Sequence, residues 1–262
     1  MVQVDMNKCI GCGLCAGDCV GRAIAVEEGK AVVKNECIQC GHCVAICPVN
    51  AVTIPEYDME GVEEYNKETF ELNPENVLHA IKYRRSIRDY KAEKVSEETL
   101  KLLAEAGRYT ATAKNNQGCC FVFVQNEIEF LKESVYNFID ENAKNVGKTL
   151  PKEFLTFVAF SRNKKKHGVD FLFRNAPVVL FITSDWPLDA GLAAQNIENM
   201  AVSLGMGALY NGYLARLVEA NKELKNWLGI GEKEIKACML LGYPAKQYKR
   251  TAPRKEANII IK

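Results

Sequence analysis

The sequence predicts an α+β protein in two unequal parts. A small cysteine-rich domain at residues 1–55 precedes a larger domain of mixed helices and strands at 74–262, with an acidic linker at 56–73 between them. Three observations lead there. Eight of the eleven cysteines fall between Cys9 and Cys47. Beyond residue 73, short apolar runs alternate with stretches of helical period. The chain has 262 residues, 48% of them hydrophobic and 26% charged, which suffices for a real core and exceeds a typical single domain.

Charge narrows the partners. With 34 Lys and Arg against 33 Asp and Glu, the formal net charge is +1, which argues against a nucleic-acid or polybasic membrane binder. The balance is uneven along the chain: residues 56–73 hold one basic and seven acidic side chains, and the part beyond holds 29 and 21. The longest plainly apolar stretch, Pro177 to Ile182, is far too short to cross a bilayer. The first residues show no basic segment followed by an apolar one, so a cytoplasmic location is expected.

The first domain repeats internally. Cys9, Cys12, Cys15 and Cys19 recur as Cys37, Cys40, Cys43 and Cys47, each displaced by 28 positions, and Ala23-Ile24 recurs as Ala51-Val52. Each copy is too small to bury a core, so something else must hold it together. A disulfide framework fits poorly with a reducing cytosol. Paired Cys-x2-Cys suits zinc, but three cysteines at x2 spacing with a fourth after x3 form the iron–sulfur run. Glycines such as Gly11, Gly13 and Gly41 let the backbone wrap a cluster closely. Pro48 completes the pattern in the second copy, where the first has Val20. His42, between two ligands, is expected to face solvent.

On these residues the segment resembles the bacterial ferredoxins with two 4Fe-4S clusters. In that family the fourth cysteine of each run ligates the other cluster. The resemblance implies one cluster on Cys9, Cys12, Cys15 and Cys47, and the other on Cys37, Cys40, Cys43 and Cys19.

In the larger part, Asn73 with Pro74 and Glu75 predicts a capped amphipathic helix through Val77, Leu78 and Ile81. Ser96 caps a second one carrying Leu100, Leu103 and Ala104. Phe121–Gln125, Val178–Ile182, Ala237–Leu241 and Ile259–Ile261 are strand candidates. Leu188 to Leu204 suits a long helix, largely buried because so much of it is Ala and Gly. Gly205-Met-Gly207 and Gly229-Ile-Gly231 begin like a dinucleotide fingerprint, but Tyr210 and Glu234 stand at its third glycine. No sequence for nucleophilic triads or zinc hydrolysis is present.

Arg84-Arg85-Ser86-Ile87-Arg88 suits a dianionic phosphate, because guanidinium forks and a hydroxyl grip its oxygens. Asn115 and Gln117 offer amides to a polar heterocycle. The Gly-rich run 205–212 lets backbone approach a flat ring, and Lys249, Arg250 and Arg254 add phosphate partners.

In this order the segments resemble the FMN-dependent nitroreductase family over residues 76–262. The resemblance implies an α/β sandwich with a mixed sheet and a dimer-exchanged tail. Arg84, Arg85, Ser86 and Arg88 would bind the FMN phosphate and ribityl chain. Asn115 and Gln117 would lie beside the flavin, Leu209, Tyr210, Asn211 and Gly212 near its N5, and Lys249, Arg250 and Arg254 would close on the phosphate. Gly118-Cys119 replaces the family's frequent Pro-Trp, and Glu256 a frequent proline. The family implies a homodimer with flavin sites at its interface, to which helix 188–204 and tail Asn258–Ile261 would contribute. Residues 148–173, rich in Phe, would cover the flavin. The whole reads as an iron–sulfur flavoprotein. Electrons from a ferredoxin-type or NAD(P)H donor would reach a small organic acceptor, nitroaromatic or quinone-like, with chemistry at FMN N5 and no catalytic side chain. The alternative is an electron-transfer module serving a protein partner.

Overall fold

The computed structural model describes every residue except Leu150, and the chain divides into two units. The first unit comprises Met1–Leu72 with Thr112–Asn116, and the second Asn73–Ala111 with Gln117–Lys262.

The elements of the first unit are short: β1 (Gln3–Val4), α1 (Leu14–Asp18), β2 (Ile24–Glu27), β3 (Lys30–Val33), α2 (His42–Ala45), β4 (Val52–Thr53) and α3 (Lys67–Phe70). β1 pairs antiparallel with β4, and β2 with β3. The β2–β3 hairpin turns on Glu28-Gly29, both at positive φ, as a two-residue hairpin turn requires. The repeat is visible in the backbone, since α1 and α2 start after Gly13 (φ 76°) and Gly41 (φ 79°), which are 28 residues apart. The core is small: Val2, Ile24, Ala31, Val52 and Ile54 pack with Cys9, Cys15 and Cys43. So few apolar side chains bury too little area to fix a unit of this size.

The second unit comprises α4 (Pro74–Tyr83), α5 (Glu97–Arg108), β5 (Cys120–Val124), α6 (Ile128–Asn142), α7 (Leu155–His167), β6 (Val178–Thr183), α8 (Pro187–Ser203), β7 (Gly207–Tyr210), α9 (Gly212–Glu219), α10 (Lys222–Trp227) and β8 (Ile235–Gly242). The Asn73 side chain caps α4 by accepting from the amides of Glu75 and Asn76, and Ser96 caps α5 by accepting from Thr99. The sheet order is β5-β6-β8-β7. Alternation along the strands builds two core layers. Val178, Leu180, Ile182, Met239 and Leu241 face α5 and α8, whereas Val179, Phe181, Cys238 and Leu240 face α6, α7 and α9. The result is a sheet with helices on both faces.

Several expectations change. Every pairing in the four-stranded sheet is antiparallel, where a mixed sheet was expected. Short apolar runs mark strands but do not encode their direction, which the connections decide. Ile259–Ile261 form no strand and are exposed, because β propensity makes no strand without an edge to pair with. α8 buries Ala190, Ala193, Ala194, Ile197 and Ala201 but exposes Leu188 and Leu192. α4 buries none of its side chains, and Val77, Leu78 and Ile81 are exposed. Within 148–173, Phe154, Phe157 and Phe173 are core, and only Phe160 and Phe171 reach the surface layer.

Candidate functional site

Cys15 lies in α1 and Cys43 in α2, the other cysteines of the first unit sit on loops, and backbone amides point at four of the sulfurs. The amides of Ala23 and Ala51 donate to Cys19 Sγ (3.2 Å) and Cys47 Sγ (3.3 Å), a pair related by the repeat. Ala31 donates to Cys9 Sγ at 3.4 Å and Gln39 to Cys37 Sγ at 3.3 Å. Gly11 cannot be replaced, since a Cβ there would lie 2.0 Å from the Gly29 carbonyl oxygen. Cys9, Cys12, Cys15 and Cys47 line one cavity, the four thiols that the crossed pattern assigns together. Among the described residues no three Cys, His, Asp or Glu side chains close on a point as for a single ion. The thiols stand around a space instead.

Their electrostatics suit a bound cation. Burial, with Cys37 and Cys40 adjacent, pushes the Cys43 thiol up to about 11. Burial likewise raises Cys15, beside Cys12 and Cys47. Donation from the Ala31 and Gly11 amides lowers Cys9. Buried thiolates this close together need positive charge among them. His42 is exposed at the start of α2.

In the second unit two sequence motifs meet. The Ile87 amide donates to the Ala208 carbonyl at 3.0 Å, which lays 84–88 along β7. Gly207 permits this approach, because a Cβ there would sit 2.1 Å from Ile87 Cγ1. Beyond β7, Asn211 fixes the turn: its Nδ2 donates to the Leu172 carbonyl (2.6 Å) and its Oδ1 accepts from Leu214, capping α9. The backbone of Leu209–Gly212 thereby lines a cleft of about 410 Å³ with Arg88, Arg174 and Arg216. Phe171 and Tyr213 also line it, and Phe160 stacks on Phe171 at 4.2 Å.

The cationic wall is incomplete. Burial and the neighbouring Arg88 push the Arg174 guanidinium below its ordinary value. Its Nε is buried and, with Thr183 Oγ1, is one of two such atoms without a partner among the described residues. Arg174 and Asn175 both hold left-handed backbone (φ 56° and 60°), an unusual conformation for non-glycine residues. Arg174 was missed in the sequence, where a lone arginine before Asn175-Ala176-Pro177 carries only a turn signal.

The remaining motif residues are dispersed. Arg84 pairs at 3.1 Å with Glu198, whose side chain is only 2% exposed. Arg85 lies over the Tyr248 ring at 4.3 Å, and both arginines line a second cleft of about 260 Å³. Ser86 is half-buried between them and Ile87. Burial first, then Glu198, pushes the Tyr210 hydroxyl up to about 12. Gln117 is exposed in the second unit, whereas Asn115 belongs to the first and donates there to the carbonyls of Ile38 (3.1 Å) and Gln39 (2.9 Å). Lys249, Arg250 and Arg254 are exposed and line neither cleft. Cys238 is buried in the core, and burial raises both its thiol and that of Cys119.

Each unit matches a known family. Residues 81–243 match the Nitroreductase family, and residues 1–48 match the 4Fe-4S dicluster domain. The NADPH-dependent oxidoreductase of Staphylococcus saprophyticus is 31% identical over 158 residues, covering 57% of this chain and 58% of its own length. Among solved structures, the FMN-bound nitroreductase of Bacteroides fragilis superposes with a TM-score of 0.58 at 21% identity, over 73% of this chain and 100% of its own. That of Desulfitobacterium hafniense, also with bound FMN, gives 0.57 at 22%, with the same coverage. The chain belongs to the nitroreductase family. It is an oxidoreductase of that type with a 4Fe-4S ferredoxin-like domain at its N-terminal end. No helix among the described residues is long and apolar enough to cross a membrane.

Proposed function

We propose that the chain is an iron–sulfur flavoprotein, in which two 4Fe-4S clusters deliver electrons to FMN and thence to a small organic acceptor, nitroaromatic or quinone-like. The observation that carries this reading is the cleft beside β7, where the buried Arg174 Nε lacks a hydrogen-bond partner beside Arg88 and Arg216. A dianionic phosphate satisfies that donor and relieves the repulsion between Arg174 and Arg88. The backbone at Leu209–Gly212 is open to a flat ring, and Phe171 and Tyr213 supply an apolar wall that sheds water. Asn211 holds this wall in place from below. Bound FMN supplies a carrier that takes electrons singly or in pairs, so no side chain need serve as nucleophile.

The first unit supports the electron-entry role. Eight thiols, four amide-to-sulfur bonds and the cavity on Cys9, Cys12, Cys15 and Cys47 fit two cubanes with exchanged fourth ligands. The donor is a ferredoxin-type protein or NAD(P)H, and the staphylococcal relative is named for NADPH. A homodimer would cover the exposed apolar residues of α4 and the tail Ile259–Ile261.

The test is composition with turnover. Protein purified without oxygen should carry about eight irons and eight sulfides per chain, from two cubanes, with one FMN. It should reduce a nitroaromatic catalytically. Zinc without labile sulfide would defeat the cluster reading. Full cofactor loading without turnover of any small acceptor would favour an electron-transfer module.

A further inference from the structure

Resting on the two-cluster reading, we propose that Asn115 is a positioning residue for the cluster held by Cys37, Cys40 and Cys43. In this role it sets the hydrogen bond to Cys37 and makes the two clusters electronically unequal.

The repeat exposes the asymmetry. Position 11 in the first copy corresponds to position 39 in the second, and both residues hold left-handed backbone (φ 69° and 52°). Glycine adopts this conformation without steric cost at position 11, but position 39 is glutamine, whose Cβ opposes it. The Asn115 side chain supplies what glycine would not need. Its Nδ2 lies 3.1 Å from the Ile38 carbonyl and 2.9 Å from the Gln39 carbonyl, bracketing the strained residue. The Tyr57 hydroxyl lies 3.5 Å from the same nitrogen. Asn115 is itself left-handed (φ 55°), as is Lys114 (φ 53°). Strained backbone of this kind persists where surrounding bonds over-determine it.

The consequence reaches the metal site through one peptide plane. Ile38 C=O and Gln39 N–H belong to the same peptide unit. Asn115 donates to its oxygen, while its N–H donates to Cys37 Sγ at 3.3 Å. Donation to the oxygen polarises the peptide and strengthens the N–H as a donor. Hydrogen bonds to the cluster's sulfurs favour the reduced, more negative state and so raise its potential. No corresponding side-chain donor to the Ile10 carbonyl exists among the described residues.

The test uses the full chain with its cofactors. In Asn115→Ala, one cluster should become harder to reduce by about three- to tenfold, where tenfold in a one-electron equilibrium is about 59 mV. Redox titration followed by electron paramagnetic resonance should show the second cluster unmoved. Adding Gln39→Gly removes the need for the bracket, so Asn115→Ala/Gln39→Gly should return the potential towards wild type. If Asn115→Ala loses that cluster on purification, the double variant should retain it. Unchanged potentials, an equal shift in both clusters, or no recovery in the double variant would overturn the role of Asn115. Iron and sulfide are counted in parallel, and fewer than two cubanes in wild type would instead overturn the two-cluster reading.

Discussion

Arg174 offers a sharp test of the proposed flavin cleft. In Arg174→Ala the cleft loses a guanidinium whose Nε is buried without a partner and whose charge is already disfavoured by burial and by Arg88. The guanidinium already lies over the Phe171 ring at 4.0 Å, but its Nε gains a hydrogen-bond partner only when an anion arrives. A hydrogen bond to a charged group contributes about 1.5–3 kcal/mol, so FMN should bind about 10–150-fold more weakly. Stability of the flavin-free protein should change little, since the lost stacking on Phe171 is offset by the removal of a like-charge neighbour of Arg88. Arg174→Lys keeps the charge but loses the planar fork, so its affinity should fall in between. The assay is quenching of flavin fluorescence on titration into deflavinated protein, at low and high salt. Riboflavin, which lacks the phosphate, should bind wild type and Arg174→Ala alike. Equal FMN affinities for wild type, Arg174→Ala and Arg88→Ala would refute a phosphate site in this cleft.

Three further outcomes are expected. Arg84→Ala strands the buried Glu198 carboxylate and should cost about 3–5 kcal/mol in urea unfolding, with most of it recovered in Arg84→Ala/Glu198→Gln; equal stability of the single and double variants would contradict this. Asp140 is penalised by burial, but Lys165 (2.5 Å) and Ser161 (2.7 Å) outweigh this and hold its carboxyl below the ordinary range. Its contribution should therefore be complete above the unfolded value of about 3.9 and vanish as pH falls through the lower folded value, so Asp140→Asn should narrow its deficit in acid; a deficit constant with pH would rule this out. Removal of Asn258–Lys262 should weaken the proposed homodimer in analytical ultracentrifugation, and an unchanged dimer would remove the tail from the interface.

How much of this was legible depended on how local each signal is. The cysteine runs follow a short spacing rule, so the 4Fe-4S domain could be read directly, as could the helix starts at Asn73 and Ser96 with their capping side chains. Arg174 could not be read, because only the packing of the Leu172–Asn175 turn against Asn211 brings it to Arg88. Arg84 was read from its motif as a phosphate ligand, but its partner Glu198 lies on a distant helix with no pattern linking the two. Asn115 shows the same limit in another form. Its place in a motif suggested an amide beside the flavin, yet its amide nitrogen serves the loop between Cys37 and Cys40. The direction of the sheet strands was equally non-local.

Electron entry through the clusters is best tested by anaerobic stopped-flow reduction of the intact protein with a low-potential ferredoxin-type donor, following cluster and flavin absorbance together. Cluster bleaching should come first, at a rate proportional to donor concentration. Flavin bleaching should follow at a rate independent of donor, because both groups share one chain and the second transfer is intramolecular. Flavin reduction that tracks donor concentration and precedes or bypasses cluster bleaching would contradict that route.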